Sequence, residues 1–493
     1  MARIAVIGAG TGAMATAARL AVAGHRVVVF ERTETYGGSL GRFERDGFVF
    51  DTGPGLLGVP AVYRDLFVKT GRKPLEECVD LTQVDPSSAH VFSDGTRVAL
   101  PNASRAGVVS ALEEALGAGA GERWGEFLVR AREAWDRTRR PLLEEPLWSD
   151  WKVLAEREPY PALRRRRLLR TRQAATLAEI GALELGDPRL AALLSGFALE
   201  HGLDPRHAPA SAAVLPYMEH AFGTWYVRGG LRELARAVYE RCLERRVEFV
   251  FGARVTGVVE KDGRAAGVEL ADGRVEEADH VVSSASPDDL PLPGGAAVAD
   301  APAERHGLPG RFTVLLALRG PRPEGTAHKT VVHAPDSAVE AAVVFGSQAT
   351  PAERPTLTVL RPDDPATRPD ADHEAVTLTA TVAPRGPVDW ADPATASRYA
   401  DTLAEVAEAA VPGLRERVLW REVLTPADTA PVRPPALAAA AGAYLYPPNT
   451  TGLPGLFRAG GWSHPGGGLA HAGMSGALVA GLIVEGPGFR GSR

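Results

Sequence analysis

The sequence predicts an α/β fold in which a parallel-sheet domain of the Rossmann type is interleaved with an α+β domain. Three observations predict it. A β-branched run, Ile4–Ile7, is followed at once by a glycine-rich turn, Gly8–Gly12. A second glycine-rich stretch, Gly460–Gly468, lies near the other end of the chain. Between them, a helical region precedes alternating strand candidates whose separations suit an antiparallel sheet.

The first element is a strand, turn and helix that suit a dinucleotide. The apolar run predicts a buried parallel strand. Gly8 permits the tight turn and Gly10 lets the backbone approach a pyrophosphate. Residues 12–23 predict a helix whose positive N-terminus faces the phosphates. Strand Arg26–Phe30 follows, and Glu31 stands where an acid accepts hydrogen bonds from ribose hydroxyls.

One fingerprint position departs from the usual pattern. Ala13 stands in place of the third glycine, where only a small residue is needed for helix–strand packing. NAD proteins share this fingerprint, so the turn alone does not choose between NAD and FAD.

The next segment carries a resemblance to a family. The pair Gly37-Gly38 precedes Gly47-Phe48-Val49-Phe50-Asp51-Thr52-Gly53-Pro54. This arrangement resembles the phytoene desaturase-like flavoproteins, relatives of the amine oxidases. The resemblance implies that the backbone after the pair runs along the pyrophosphate and ribityl chain of FAD. Ser39 stands where the family usually has arginine, and Arg42 fits the family's second arginine.

The resemblance continues to the end of the chain. Residues 223–231 resemble the family's return from the substrate region, and Val255 matches a residue whose backbone meets the adenine. Gly460–Gly468 resembles the closing Gly-x-x-x-His-Pro-Gly-x-Gly stretch of the desaturases. The helix predicted over Ala470–Gly486 would then point its N-terminus at the flavin. The predicted contacts of a non-covalent FAD are Gly8, Gly10, Thr11, Gly12, Ala13, Glu31, Arg32, Gly38, Ser39, Arg42, Gly53, Pro54, Val255, Gly460, Gly461, Gly468, Gly473 and Met474.

The middle of the chain predicts the second domain. His90–Phe92 and Arg97–Leu100 flank the turn Ser93–Thr96 as a hairpin. Further helices are predicted over Gly107–Leu116, Glu122–Arg139, most of 150–222, Leu231–Arg245 and Asp401–Val411. Further strands are predicted over Phe312–Leu318, Thr330–His333, Ala342–Phe345, Thr356–Leu360 and Ala375–Val382, after a Pro/Gly/Ala-rich linker, Pro291–Pro309.

These elements predict how the chain is divided. The FAD-binding domain comprises 1–75, 228–290 and 440–493. The substrate-binding domain comprises 76–227 and 291–439, with a helical insertion at about 106–222.

Composition narrows the class of protein. The 493 residues allow about two or three domains. The net charge of −6 gives no indication of a nucleic-acid partner. Cys78 and Cys242 are the only cysteines, which excludes a disulfide framework and suits a cytoplasmic location. No apolar run reaches the ~18 residues of a membrane span. The Arg164–Arg167 run, with Arg170 and Arg172, leaves two interpretations open: a solvated helix face, or a peripheral contact at the inner face of the membrane.

The sequence indicates chemistry carried by the flavin. His464 and His471 have no carboxylate at metal-ligand spacing, so structural histidines are expected and no metal site is predicted. No nucleophile–base arrangement is visible. The catalytic residues stay unknown, and Trp225, Tyr226 and Trp462 are candidates for the lining of a long, mostly apolar pocket.

The function implied by the resemblance is dehydrogenation of an apolar isoprenoid or polyene, with hydride passing to flavin N5 and reoxidation by an acceptor such as oxygen or a quinone. The alternatives are a related isomerase, saturase, reductive cyclase or amine oxidase-like enzyme, or a non-catalytic prenyl-binding protein of the same fold.

Overall fold

The computed structural model describes residues 1–148, 150–164, 171–293, 308–346, 350–383 and 388–492. In these ranges the strands are β1 (Arg3–Ile7), β2 (Arg26–Phe30), β3 (Arg42–Arg45), β4 (Phe48–Asp51), β5 (Leu57–Gly58), β6 (Leu81–Gln83), β7 (Ser88–Val91), β8 (Arg97–Leu100), β9 (Leu163–Arg164), β10 (Thr171–Arg172), β11 (Thr224–Val227), β12 (Glu248–Val250), β13 (Val255–Lys261), β14 (Arg264–Leu270), β15 (Val275–Glu277), β16 (His280–Ser283), β17 (Gly310–Arg319), β18 (Lys329–Val332), β19 (Leu357–Leu360), β20 (His373–Val382), β21 (Val418–Leu424) and β22 (Leu456–Arg458).

The α-helices of the same ranges are α1 (Thr11–Val22), α2 (Ala61–Thr70), α3 (Arg105–Leu116), α4 (Ala120–Arg139), α5 (Lys152–Glu156), α6 (Leu177–Ile180), α7 (Pro188–Glu200), α8 (Val214–Phe222), α9 (Leu231–Glu244), α10 (Ser337–Phe345), α11 (Pro393–Ala407), α12 (Leu414–Arg417) and α13 (Leu469–Val484).

A five-stranded parallel sheet has the order β12-β2-β1-β16-β22, so strands from both ends of the chain and from its middle meet side by side. Its two faces follow the alternation of each strand. Ile4 and Val6 face the core formed with α1, α9 and α13, whereas Ala5 and Ile7 face the three-stranded sheet β13-β14-β15. The sheet is therefore covered on both sides, as parallel sheets require.

A second sheet of seven strands has the order β21-β17-β20-β19-β18-β7-β8. All of its neighbouring pairs are antiparallel except β18 and β7. One face packs against α11 through a core that includes Phe312, Tyr399 and Leu403. The other face lines a cavity described below.

The helical region between the two sheets forms a core of its own. Trp124, Phe127 and Leu128 of α4 pack there with Leu190 and Leu194 of α7. The prediction of a mostly helical segment over 150–222 agrees with α5 to α8, and the short pair β9 and β10 interrupts it. Of the arginine run, residues 165–170 lie outside the described residues.

The structure corrects three predicted elements. Ala342–Phe345, predicted as a strand, is the last part of helix α10, because the Asp336 side chain accepts from the amides of Ala338 and Val339 and starts a helix there. The helix predicted over Asp401–Val411 begins earlier, at Pro393, behind the capping residue Asp392. Strand β21 was not predicted.

The fold class agrees with the prediction, with one parallel sheet and further antiparallel sheets. The sheet strands come from the predicted chain segments, while the exact domain boundaries stay a prediction. None of the described helices is long and apolar enough to cross a membrane.

Candidate functional site

The glycine turn after β1 leads into helix α1 and leaves the first amides of that helix without a side-chain cap. Gly8 N–H donates to the Phe30 carbonyl at 2.8 Å, which closes the turn against β2. Gly10 precedes helix α1 and supplies no side-chain cap, so its first-turn amides keep their capacity to bind an anion. Ala13 is fully buried in the core behind this turn, as a small residue at the third fingerprint position should be.

Glu31 sits at the carboxyl edge of the parallel sheet and is 9% exposed. Its Oε2 accepts from Ala9 N–H at 2.7 Å, and its Oε1 accepts from both the amide and the hydroxyl of Thr33 at 2.9 Å. A carboxylate has about four acceptor positions, and these bonds use three. The carboxylate is therefore fixed beside the turn with capacity for one more donor.

The segment after β2 approaches this turn closely. Gly37 N–H donates to Ala9 O at 2.8 Å, and Gly38 has a φ of +58°. A Cβ on Gly38 would stand 3.1 Å from Gly10 Cα, and one on Gly53 would collide with the Ser39 carbonyl oxygen. The space between Gly10 and Gly38, like that beside Gly53, therefore admits backbone atoms but no side chains. We call Gly10, Gly38 and Gly53 the glycine cradle, and its close backbone approach is what binding of a pyrophosphate requires.

The two arginines predicted near the cofactor already have acidic partners. Arg42 pairs with Glu44 at 2.5 Å and Glu233 at 3.4 Å, and Arg32 pairs with Asp289 at 2.8 Å. These contacts neutralise both guanidinium groups, which weakens the case that either binds phosphate.

The closing segment packs directly on the opening helix. A Cβ on Gly12 would stand 2.9 Å from Gly460 Cα, and one on Gly476 would stand 2.8 Å from Gly12 O. The Ser475 hydroxyl accepts from Gly460 N–H at 3.0 Å, and Asn449 donates to the same hydroxyl at 3.2 Å. This buried network fixes the closing segment against the glycine-rich turn after β1, although the two segments are far apart in sequence.

Helix α13 begins after Gly468, which has a φ of +96° and leaves the first turn without a side-chain cap. Gly473 packs against α2, since a Cβ there would stand 2.8 Å from Val62. Met474 is buried in the helical core, and Val255 is buried with Phe30 behind the parallel sheet. Close packing explains why Gly473, Met474 and Val255 stand at these positions. Their contact with FAD stays a prediction.

Arg433 is a residue that sequence reasoning missed. Its guanidinium lies 3.8 Å from the ring centroid of Trp462, and its Nη2 lies 3.1 Å from where a Cβ on Gly461 would be. Burial lowers its pKa to about 10, and its Nε is buried without a partner among the described residues. A desolvated guanidinium beside the flavin segment is suited to an anionic or carbonyl group of the cofactor.

Of the two histidines in the closing segment, His464 is buried and His471 is half-buried, and both are uncharged at neutral pH. Burial lowers the pKa of His464 to about 4 and that of His471 to about 3. His464 Nε2 hydrogen bonds to the Glu145 carbonyl at 2.9 Å, a structural contact. In the part of the chain that the structure describes, no group of three or more metal-binding side chains is present.

A cavity of about 160 Å³ lies between the seven-stranded sheet and helices α7 and α8. Asp51, Pro54 and Gly55 line it on the side of the glycine cradle. The Asp51 carboxylate accepts from Leu231 N–H at 2.9 Å at the start of α9, and burial raises its pKa to about 6. Along β20 the lining runs from Ala375 to Thr381, which at ~3.3 Å per residue is a length of about 20 Å.

Only one of the three aromatic residues predicted for the lining faces this cavity. Tyr226 lines it and donates from its hydroxyl to Asp364 at 2.9 Å. Trp225 alternates with Tyr226 along β11, so its ring points away and its Nε1 donates to Phe222 O. Trp462 is held against Arg433 instead. Trp225 and Trp462 do not line this cavity, and their place beside the flavin stays a prediction.

The lining combines apolar and polar groups, which the prediction of a mostly apolar pocket did not include. Leu193, Phe197 and Leu199 of α7 form an apolar wall. The facing sheet and the adjacent helices add polar and charged side chains, including Glu200, Glu219, Lys329, Arg311, His90, His328 and His333.

Comparison with known proteins identifies the family. The family model described as flavin-containing amine oxidoreductase matches residues 14–484. The chain belongs to this family. Membership confirms the predicted resemblance, the assignment of FAD as cofactor and the class of FAD-dependent oxidoreductase. The glycine cradle, the open end of α1 and the unpartnered Arg433 Nε fit that cofactor.

Relatives within this flavoprotein family act on carotenoids, by their names. Hydroxyneurosporene desaturase of Cereibacter sphaeroides is 30% identical over 98% of this chain and 97% of its own. The 4,4'-diapolycopene oxygenase of Methylomonas sp is 32% identical over 57% of this chain and 55% of its own. The zeta-carotene-forming phytoene desaturase of Myxococcus xanthus is 32% identical, over 59% and 54%. The chain therefore matches about half the length of the last two.

Solved structures share the fold of this family member at low identity. An oxidoreductase from Methanosarcina mazei has a TM-score of 0.64 at 18% identity, covering 97% of this chain and 99% of that one. Wild-type putrescine oxidase bound to putrescine has a TM-score of 0.62 at 14% identity, covering 98% and 99%.

Proposed function

We propose that this flavoenzyme dehydrogenates an isoprenoid polyene, with a hydride passing from a substrate C–H bond to N5 of non-covalently bound FAD. The observation that carries the proposal is the match to hydroxyneurosporene desaturase, which extends over nearly the whole of both chains. The predicted contacts of FAD, from Gly8 to Met474, belong to the same proposal.

The cavity supports an elongated substrate. Its length of about 20 Å along β20 suits an extended chain better than a compact molecule. Leu193, Phe197 and Leu360 supply apolar contacts along it. Pro54 and Gly55 place one end beside the glycine cradle, where bound FAD would supply the hydride acceptor.

In this proposal the residues of the chain bind and orient the substrate and the cofactor, and the flavin carries out the chemistry. The apolar wall excludes water from the path between substrate and cofactor. The buried network of Asn449, Ser463 and Ser475 holds the closing segment rigid beneath the cofactor. Reoxidation requires an external acceptor, for which oxygen or a quinone is proposed.

The test is anaerobic mixing of the purified holoprotein with a panel of carotenoid polyenes in detergent micelles. A true substrate bleaches the oxidised flavin band and yields a product with two fewer hydrogens by mass. A product of unchanged mass would indicate an isomerase. A product with added hydrogens, formed only when the flavin has first been reduced with dithionite, would indicate a saturase or reductive cyclase. A colourless preparation that cannot bind FAD would leave only the prenyl-binding interpretation.

Amine oxidation is a second candidate, because two carboxylates, Glu200 and Glu219, line the cavity. Lys329 already neutralises Glu200, which weakens this candidate. The same anaerobic experiment with putrescine and longer alkylamines decides it. If an amine bleaches the flavin and no polyene does, the protein is an amine oxidase and the polyene proposal is wrong.

A peripheral membrane contact through the arginine run is also proposed, since an apolar substrate would enter from a bilayer. The central part of the run, residues 165–170, lies outside the described residues. Co-sedimentation with liposomes should rise with anionic lipid and fall with salt. Binding that ignores both would leave the solvated-face interpretation.

A further inference from the structure

The cavity-facing side of the seven-stranded sheet carries a row of polar side chains between apolar ones such as Val331 and Leu360, whereas the opposite side is mostly apolar. Alternate residues of each strand point to the same face. On β20 the residues facing the cavity are Thr377, Thr379 and Thr381, while their neighbours Leu378 and Ala380 are buried in the core beneath α11. Lys329, the first residue of β18, and His333, which directly follows that strand, also face the cavity. A cavity built only for a hydrocarbon would not need this row of hydrogen-bonding groups.

A charged cluster crosses the cavity from sheet to helices. Lys329, 3% exposed, places its Nζ 2.9 and 3.1 Å from the two carboxylate oxygens of Glu200 and 3.6 Å from Glu219 Oε2. Arg311 donates to the Glu200 backbone carbonyl at 3.1 Å. Burial alone would raise the pKa of Glu200, but the adjacent ammonium outweighs it and holds that pKa at about 2. The positive charge of Lys329 therefore balances the negative charge of Glu200, and neither group needs a charged ligand.

Two buried polar atoms of this cavity have no partner among the described residues. One is Oε1 of Glu219, whose Oε2 faces the ammonium. The other is Nδ1 of His333, which is 4% exposed. His333 Nε2 is hydrogen bonded to His90 Nδ1 at 3.0 Å, and His90 Nε2 to the Ser88 hydroxyl at 2.9 Å. Whichever nitrogens carry the protons, this chain ends on the unpartnered Nδ1.

From these contacts we propose that the cavity binds a substrate carrying a hydroxyl group, which hydrogen bonds to Glu219 Oε1. The inference rests on the proposed function and names the substrate class more narrowly: an oxygenated isoprenoid chain rather than a pure hydrocarbon. A hydroxyl donates a hydrogen bond, so it can satisfy this carboxylate oxygen. A hydrocarbon would leave that oxygen buried and unpaired, which is costly.

A primary amine fits this place less well. An ammonium group near Glu219 would approach the Lys329 ammonium, which already lies 3.6 Å from that carboxylate. Two ammonium groups held beside one carboxylate would repel each other strongly where water is excluded. The cluster therefore favours a neutral polar group.

The test measures the binding of three C20 isoprenoid probes to the oxidised holoprotein. They share one chain and end in a hydrocarbon terminus, a primary alcohol (geranylgeraniol) or a primary amine. Binding is measured by titrating the change that each probe causes in the flavin absorption spectrum. We expect the alcohol to bind about tenfold more tightly than the hydrocarbon and the amine, the effect of one hydrogen bond to a charged group. Equal or tighter binding of either competitor, or no saturable binding of any probe, would overturn the inference.

Two variants locate the site. Glu219→Leu should remove most of the alcohol preference while keeping the hydrocarbon affinity within about twofold. Glu133→Gln, on an exposed part of α4, is the matched control and should keep the full preference. A Glu219→Leu protein that retains the preference would refute the assignment to Glu219. Failure of the desaturase proposal is recognised separately, by the absence of flavin bleaching with every polyene.

Discussion

At the scale of single residues, two side chains at the predicted FAD site, Glu31 and Arg433, are expected to contact the cofactor. Glu31 holds the glycine turn through Ala9 N–H and the loop after β2 through Thr33. Arg433 stacks on Trp462 and keeps a buried Nε without a partner. Both residues should therefore affect FAD affinity, Glu31 through the ribose end and Arg433 through the end near the closing segment.

Glu31→Ala should weaken FAD binding about tenfold to a hundredfold. The change removes a charge-assisted hydrogen bond of on the order of 1.5–3 kcal/mol. It also leaves the Ala9 amide without its acceptor. FAD titration of apoprotein measures the effect, with Glu248→Ala, an exposed residue at the edge of the same sheet, as the control. Unchanged affinity would rule out the ribose contact.

Arg433→Gln should weaken FAD binding about tenfold, because a desolvated guanidinium donating to the cofactor contributes more than a neutral amide. Arg433→Lys should restore part of the loss, since it keeps the charge but not the planar group. Equilibrium titration with FAD, followed by flavin fluorescence, measures both variants. If Arg433→Gln binds FAD like the wild type, the guanidinium serves only to hold Trp462.

The residues that sequence could predict are those with local signals. Glu31 and the glycines stand at fixed spacings after a strand, so a pattern indicates them. Arg433, Lys329 and Glu219 have no such pattern, because their environment comes from segments far away in the chain. Arg433 lies between prolines without any motif, and Lys329 meets its carboxylates across 129 and 110 positions. Only the folded structure brings these groups together.

At the scale of elements, the contact between α1 and α13 positions the predicted cofactor site. Glycines on both helices let the backbones approach to a distance that no other residue allows. The sequence indicated both helices correctly, because each follows a glycine-rich turn. It misassigned Ala342–Phe345, since a short apolar run fits a strand or a buried helix and only the Asp336 cap decides between them. Strand β21 escaped prediction because its half-buried residues, such as Trp420 and Arg421, mix apolar and charged types.

Gly476→Ala should destabilise the protein by about 1–3 kcal/mol, the usual cost of overpacking a tight contact. The added Cβ would stand 2.8 Å from Gly12 O and 3.0 Å from Thr16 N, and neither backbone atom can move aside cheaply. Urea denaturation of the holoprotein measures the free energy of unfolding. Gly58→Ala is the matched control, because a Cβ there meets nothing within 4 Å and should change stability by less than about 0.5 kcal/mol. Equal stability of the two variants would show that α1 and α13 have room to separate.

At the scale of the whole molecule, the chain crosses repeatedly between its two large sheets. Strands of residues 3–30, 248–283 and 456–458 form the parallel sheet, and strands of residues 88–100, 310–382 and 418–424 form the seven-stranded sheet. Neither sheet can assemble from one continuous segment. Folding therefore requires contacts of high sequence separation, which favours slow folding. The molecule also holds several uncharged histidines in its interior.

The free energy of unfolding should fall as the pH is lowered from 6 to 4.5. Burial lowers the pKa of nine histidines among the described residues, to about 3 for His333 and His471 and to about 4 for His220, His328 and His464; the other four are His25, His90, His201 and His280. In this pH range the unfolded chain binds protons at these positions and the folded protein does not, so acid favours unfolding. Burial also raises the pKa of four carboxyls, Asp51 to about 6, Glu158 and Glu340 to about 7, and Glu219 as well, and these act in the opposite direction.

The histidines with a lowered pKa outnumber the carboxyls with a raised pKa, so the free energy of unfolding should fall on acidification, with each unbalanced group contributing at most about 1.4 kcal/mol per pH unit. Urea denaturation of the holoprotein across this range measures it. Glu340→Gln removes one opposing carboxyl while keeping an acceptor for Thr356, so its slope should be steeper than that of the wild type. A stability that is constant or rises on acidification, in both the wild type and Glu340→Gln, would contradict the prediction that the buried histidines dominate the pH dependence.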